Sequence, residues 1–262
     1  MPFEDKPRVR FHNDPLVEVV CQFVFVSQVD GIEDADRLVK LHTLIKDRLP
    51  LFKRSKNVSL DVNADTQSVT QIENPVYEFA SLDETVRAII NTDSIAFVTT
   101  KYESKEAFFG YIDCLHSALV ELGMMLPIKR VGLRYKDVIQ RSLLGEDFIR
   151  HSWNELLNAP LVSIFEDQEL SKSKILGAQS NFSIALDSID KNAKMNVSCT
   201  IVNHAQSQEQ CFMIDSDYYN EGIFDYDAAS KFLSAANIKA RDFFQWCLTE
   251  KLYEALKPER IE

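Results

Sequence analysis

Residues 58–99 read VSLDVNADTQSVTQIENPVYEFASLDETVRAIINTDSIAFVT. Short runs rich in Val, Ile and Phe recur at 58–62, 68–72, 76–79, 86–90 and 95–99. Asn74-Pro75 and Asn91-Thr92-Asp93 supply turn chemistry between some of them. This spacing is that of an antiparallel meander rather than of βαβ crossovers.

The segments on either side extend the same reading. Residues 15–26, PLVEVVCQFVFV, have no helix-length polar stripe and read as a buried strand. Alternation puts Val17, Val19, Cys21, Phe23 and Phe25 on one face and leaves Glu18 as a charge on the other. Residues 33–49 carry Leu38, Leu41, His42, Ile45 and Leu49 at helical steps, and Pro50 stops them. Residues 103–122 form a stronger helix, with Phe108, Ile112, Leu115, Leu119 and Leu122 as its stripe and Gly123 as its cap. Residues 128–139, IKRVGLRYKDVI, alternate as a strand. Gly145 opens a short helix over 146–157. Four more β-rich runs, 161–165, 175–189, 195–203 and 210–214, lead to a long helix over 226–256, ended by Pro258.

The expected fold is therefore α+β. An antiparallel β-sheet in two lobes, residues 1–141 and 142–262, has each half ending in a long helix packed on the sheet. The strands-then-helix order of both halves allows an internal duplication, and no low-complexity linker separates them, so one compact body is expected. The closing helix has an aromatic face (Phe232, Phe243, Phe244, Trp246 and Tyr253) suited to core packing or to a dimer contact.

Composition bounds the function. The 262 residues are 45% hydrophobic and carry 29 Lys+Arg against 40 Asp+Glu, for a formal net charge of −11. Residues 1–141 hold 18 basic and 21 acidic groups, and residues 142–262 hold 11 and 19. Acidity disfavours broad nucleic-acid binding. Seven glycines, none close enough for a phosphate loop, leave no G-x-G-x-x-G or G-x-x-x-x-G-K-[ST] motif, and no cofactor is expected. The five cysteines lack a C-x-x-C and suit buried thiols in a reducing cytosol. The N-terminus has no apolar leader and no stretch is long enough to span a membrane, so a cytoplasmic protein is expected.

Chemistry concentrates in residues 128–141. Arg130, Gly132, Arg134 and Lys136 share one strand face; Val131, Leu133 and Tyr135 share the other. Gly132 leaves room between two guanidiniums, and paired guanidiniums suit carboxylate or phosphate. Two readings stay open. The arginines pair with internal acids, Glu18 being the obvious one, or they floor an anion site with Tyr135 and Glu18 nearby. A second basic run, Lys46, Arg48, Lys53, Arg54 and Lys56, reads as a solvated surface. Metal signatures are absent: the five histidines form no H-x-x-x-H, and Asp215-Ser216-Asp217 lacks the Gly and Glu of a calcium loop and reads as a strand-end turn.

The strings Asn13-Asp14-Pro15-Leu16-Val17-Glu18-Val19-Val20-Cys21-Gln22-Phe23 and Arg130-Val131-Gly132-Leu133-Arg134-Tyr135, with Phe244 and Thr249 in the closing helix, resemble a sporadically distributed, uncharacterised bacterial and archaeal family of about this length. In that family Pro often stands at the position of Asp14 and Asn at that of Asp137. The resemblance brings no activity, cofactor or catalytic residue. It implies only that Glu18, Arg130, Gly132, Arg134 and Tyr135 are the positions to inspect first.

The favoured expectation is a non-enzymatic binding or accessory protein of a prokaryotic multi-protein system, with a protein partner or a homo-oligomer and no membrane. One alternative is an enzyme or sensor for an anionic small molecule (a nucleotide or phosphate ester) on the Arg130-Gly132-Arg134 face. Another is an acidic inhibitor of a nucleic-acid-binding partner.

Overall fold

The computed structural model describes residues 3–29, 31–63, 68–165, 167, 169–170 and 175–261, with side chains for all of these except 58–63 and 68–72. The alternating run near the start becomes strand β2 (Leu16–Phe25), after a short β1 (Val9–Phe11). Val19, Cys21, Phe23 and Phe25 are buried, while Glu18, Val20, Gln22 and Val24 are only half-buried. Helix α1 (Ala35–Ile45) follows, N-capped by the Asp34 carboxylate, with Leu38, Leu41 and Ile45 buried.

The meander is real. It consists of β3 (Leu51–Asn63), β4 (Ser68–Ala80), β5 (Val86–Ile90) and β6 (Ser94–Thr99), each antiparallel to the next. Helix α2 (Lys105–Glu121), capped by Ser104, buries Phe108, Ile112, Leu115 and Leu119 of the predicted stripe, while Leu122 at its C-cap is half-buried. Strand β7 (Ile128–Ile139) follows. After α3 (Trp153–Leu156) and α4 (Ala159–Val162) come β8 (Gln179–Ala185), β9 (Lys194–Asn203) and β10 (Gln210–Phe224). Helix α5 (Tyr226–Cys247), α6 (Glu250–Ala255) and β11 (Pro258–Arg260) close the chain.

The fold is α+β. Nine strands form one sheet in the order β3-β4-β5-β6-β2-β7-β10-β9-β8, and β1 pairs with β11. Two stretches, residues 16–121 and 128–247, follow one scheme. A strand leads into helical segments, a meander returns its last strand beside the first, and a long helix follows.

Two compact units divide the residues. Met1–Val17, Leu133–Asn220 and Lys231–Glu262 form the first, Glu18–Gly132 and Glu221–Ser230 the second. In the second, the buried face of β2 joins Phe79, Phe97, Leu41, Ile112 and Leu115 among the core residues. In the first, α5 packs on the sheet, with Phe243 against Phe182 of β8 (6.5 Å between ring centroids). Its aromatic face is covered by the N-terminal segment. Phe3 lies 5.1 Å from both Phe243 and Trp246, and Phe11 meets Phe244 and Tyr253 edge-on.

Several sequence expectations are corrected. Asn74-Pro75 does not break the chain: β4 runs through it, paired with β3. Pairing with β5 stops at Tyr77, so Pro75 lies where the ladder on that side has ended and its missing N–H costs no bond there. Residues 161–165 are helical rather than extended, because Pro160 stands in the first turn of α4. The helix expected over 146–157 is a 3-10 turn, Glu146–Arg150, followed by α3. Asp215-Ser216-Asp217 lies inside β10, which runs ten residues beyond the predicted end at Ile214.

The last helix is broken at Leu248-Thr249. The Thr249 hydroxyl donates to the Leu156 carbonyl (3.0 Å) and caps α6 by accepting from the Leu252 N–H (3.4 Å). Thr249→Ala is expected to lower stability by about 1 kcal/mol, read by urea denaturation.

Candidate functional site

Strand alternation decides what β7 presents. Val131, Leu133, Tyr135, Asp137 and Ile139 are buried on one side, while Arg130, Arg134 and Lys136 on the other keep solvent access. The two arginines differ in their anchors. Arg130 Nη1 donates to Gln22 Oε1 at 3.0 Å. A Cβ placed on Gly132 would come within 3.1 Å of that same Nη1. The room that Gly132 creates is thus taken by the Arg130 guanidinium itself.

Arg134 makes a bidentate fork with Asp215, Nε to Oδ1 at 2.6 Å and Nη2 to Oδ2. The internal acid that sequence reasoning sought for this arginine is Asp215, on a strand 81 residues away. Its place in a D-S-D string, read as a turn, hid it. Glu18 is half-exposed on β2. Tyr135 is on the opposite side of β7 from Arg134. Its Oη accepts from Asn237 Nδ2 of α5 at 2.7 Å, and its ring meets Tyr218 edge-on.

In the first unit the solvent side of the sheet forms an open trough of about 570 Å³ around Arg134, lined by polar side chains together with Phe182 and Val197. Register builds it in rows. Asn181 of β8, Ser198 of β9 and Asp215 of β10 are neighbours across the strands, and so are Ser183, Asn196 and Asp217. Ser183 Oγ donates to Asn196 Oδ1 at 2.7 Å, and Gln179 Nε2 donates to Ser198 Oγ at 3.2 Å. The trough carries one guanidinium against two carboxylates. Asp215 is 11% exposed while Arg134 is 45% exposed, so the acid forms the floor and the guanidinium faces solvent.

Behind the trough, the core side of the same strands buries Asp137 and Ser216. Burial pushes the Asp137 carboxyl well above the usual carboxylate range, and the charges of Asp14 and Asp215 push it further the same way.

Other candidate groups are accounted for structurally. In the second basic run, Lys56 bonds Glu73 at 2.6 Å, and Arg54 and Arg48 lie over the rings of Tyr77 and Tyr111. His116 stacks on Tyr226 (3.5 Å, 7°), whose hydroxyl donates to Asp113 at 2.6 Å. His116 and Tyr226 help line an apolar cavity of about 20 Å³, room for little more than one water. Burial pushes the Cys199 thiol up to about 12, which keeps it protonated and inert near neutral pH.

Among the described residues no group of three His, Cys, Asp or Glu side chains is placed to hold a metal ion. No helix among them is long and apolar enough to cross a membrane. The chain matches no known family model, and comparison with curated proteins finds no match.

Proposed function

We propose that the protein is a non-enzymatic binding protein whose docking surface is the trough around Arg134 and Asp215, and that its occupant is a protein partner with basic or hydrogen-bonding side chains. The observation that supports this reading is the lining. Amides, hydroxyls, one guanidinium and two carboxylates stand in register on a sheet face open to solvent. Such a surface recognises a partner by hydrogen bonds and charge complementarity. The net charge of −11 favours a basic partner. A nucleic-acid-binding protein held by an acidic inhibitor is one such partner.

The anionic-ligand reading needs Arg134 to leave its fork with Asp215 and Arg130 to leave Gln22. Breaking a bidentate arginine–carboxylate pair to admit another anion leaves Asp215 as a repelling charge on the same floor. The partner reading requires no such rearrangement.

Affinity purification at native expression tests it. A stoichiometric protein partner is expected. Clean recovery of the chain alone, with a melting-temperature rise on adding nucleotides or phosphorylated metabolites that Arg134→Ala abolishes, would replace this reading by the anionic-ligand one.

A further inference from the structure

The sheet has two edges, β3 and β8, and they are protected very differently. Exposed strand edges invite pairing with other chains, and proteins blunt them with charge, proline, bulges or short length. Strand β3 carries Lys53, Arg54 and Lys56. Strand β8, Gln-Ser-Asn-Phe-Ser-Ile-Ala, carries no charge and no proline over seven residues. It sits in a run of uncharged residues from 175 to 186, in a chain of net charge −11.

The hydrogen-bond phase of β8 tells which backbone groups point outward. The Ile201 N–H donates to the Ala178 carbonyl, and the Leu186 N–H to the Ala193 carbonyl, on the two sides of the β8–β9 ladder. Bonded positions alternate along an antiparallel pair. Ser180, Phe182 and Ile184 therefore bond β9, while Gln179, Asn181, Ser183 and Ala185 turn their N–H and C=O groups away from it. Among the described residues no hydrogen bond reaches those outward groups.

We propose that β8 pairs antiparallel with β8 of a second copy, joining two sheets edge to edge about a two-fold axis at Phe182. This register places outward residues opposite outward residues. Asn181 faces Ser183 of the second copy and Gln179 faces its Ala185, each pair exchanging two backbone hydrogen bonds. Phe182 faces its own counterpart. An isologous contact of this kind closes on itself and stops at a dimer. A second copy suits this edge better than an unrelated strand for two reasons. The register sets polar Asn181 opposite polar Ser183 and Phe182 opposite Phe182. It also brings together the one sheet edge where two acidic chains meet without a charge on either side.

The test uses the full chain. Light scattering over a wide concentration range is expected to give twice the chain mass. The variant Gln179→Pro with Ala185→Pro is expected to halve it. Both prolines replace outward N–H groups, so the β8–β9 ladder keeps its bonds. Ala185 lies outside the trough lining, whereas the Gln179 side chain bonds the trough residue Ser198, so Ala185→Pro alone is the variant that separates loss of the dimer from loss of a docked partner. Amide exchange of wild type gives a measurement that needs no variant. The Asn181 and Ser183 amides are expected to slow as concentration rises. A single-chain mass throughout, a dimer that survives both prolines, or exchange at these amides independent of concentration would each overturn the proposal.

Discussion

Asp242→Ala is expected to destabilise the protein by about 3–5 kcal/mol, the cost of stranding a buried charge after its partner is removed. Asp242 has no exposed surface. Its Oδ1 accepts from the Lys6 backbone N–H at 3.0 Å and from Arg241, and its Oδ2 accepts from Lys239 Nζ at 3.0 Å. The Lys239 side chain is only 8% exposed, and its other carboxylate contact, Asp5 at 3.3 Å, is 81% exposed. Without Asp242 the ammonium keeps one screened partner, and the N-terminal segment loses the bond from the Lys6 N–H, one of its polar ties to α5. Phe3, held on Phe243 and Trp246, and the Pro7 carbonyl, held by Gln245, lose register with it. Urea denaturation reads the loss. A fall of less than about 1 kcal/mol, the worth of an exposed pair, would contradict the buried account.

Asp137→Asn is expected to do the reverse and raise the melting temperature near neutral pH. Among the described residues no donor is placed on the Asp137 carboxyl, while burial and the nearby Asp14 and Asp215 charges all oppose its ionisation. Its folded pKa therefore lies above the unfolded value of 3.8. Below that value the carboxyl is protonated in both states and costs nothing. As pH rises above it the unfolded chain ionises first, and folding stability falls until the folded pKa is passed. The stabilisation by Asn should thus be large at neutral pH and vanish in acid. A pH-independent difference, or a lower melting temperature for the variant at pH 7, would contradict the destabilising burial of Asp137.

The sequence carried the strands and helices whose periodicity is clean. Alternation in 15–26 and 128–139 and the stripes of α1 and α2 survive almost residue for residue, because one face of each is buried and the other is not. Local punctuation misled where tertiary pairing overrode it. Asn74-Pro75 looks like a turn but lies past the end of β5, where a proline is harmless. Asp215-Ser216-Asp217 looks like a turn because two acids flank a serine. In the sheet they are alternating trough residues around one buried position.

The site was half legible. Arg130, Gly132 and Arg134 stood out, because charges on an alternating strand need partners. Those partners, Gln22 and Asp215, lie 108 and 81 residues away, and no local pattern announces such distant pairing. Asn181, Ser183, Asn196 and Ser198 carried no signal at all. Small polar residues on a solvent-facing strand look alike whether or not they line a surface that binds.

Asn196→Arg provides the most direct test of the trough as a docking surface. Asn196 is exposed between Ser183 and Asp217, so an arginine there fills the trough and leaves the core untouched. Purified at native expression beside wild type, this variant is expected to lose the stoichiometric partner while keeping the wild-type melting temperature. Equal recovery of the partner by both baits would contradict the assignment of this face.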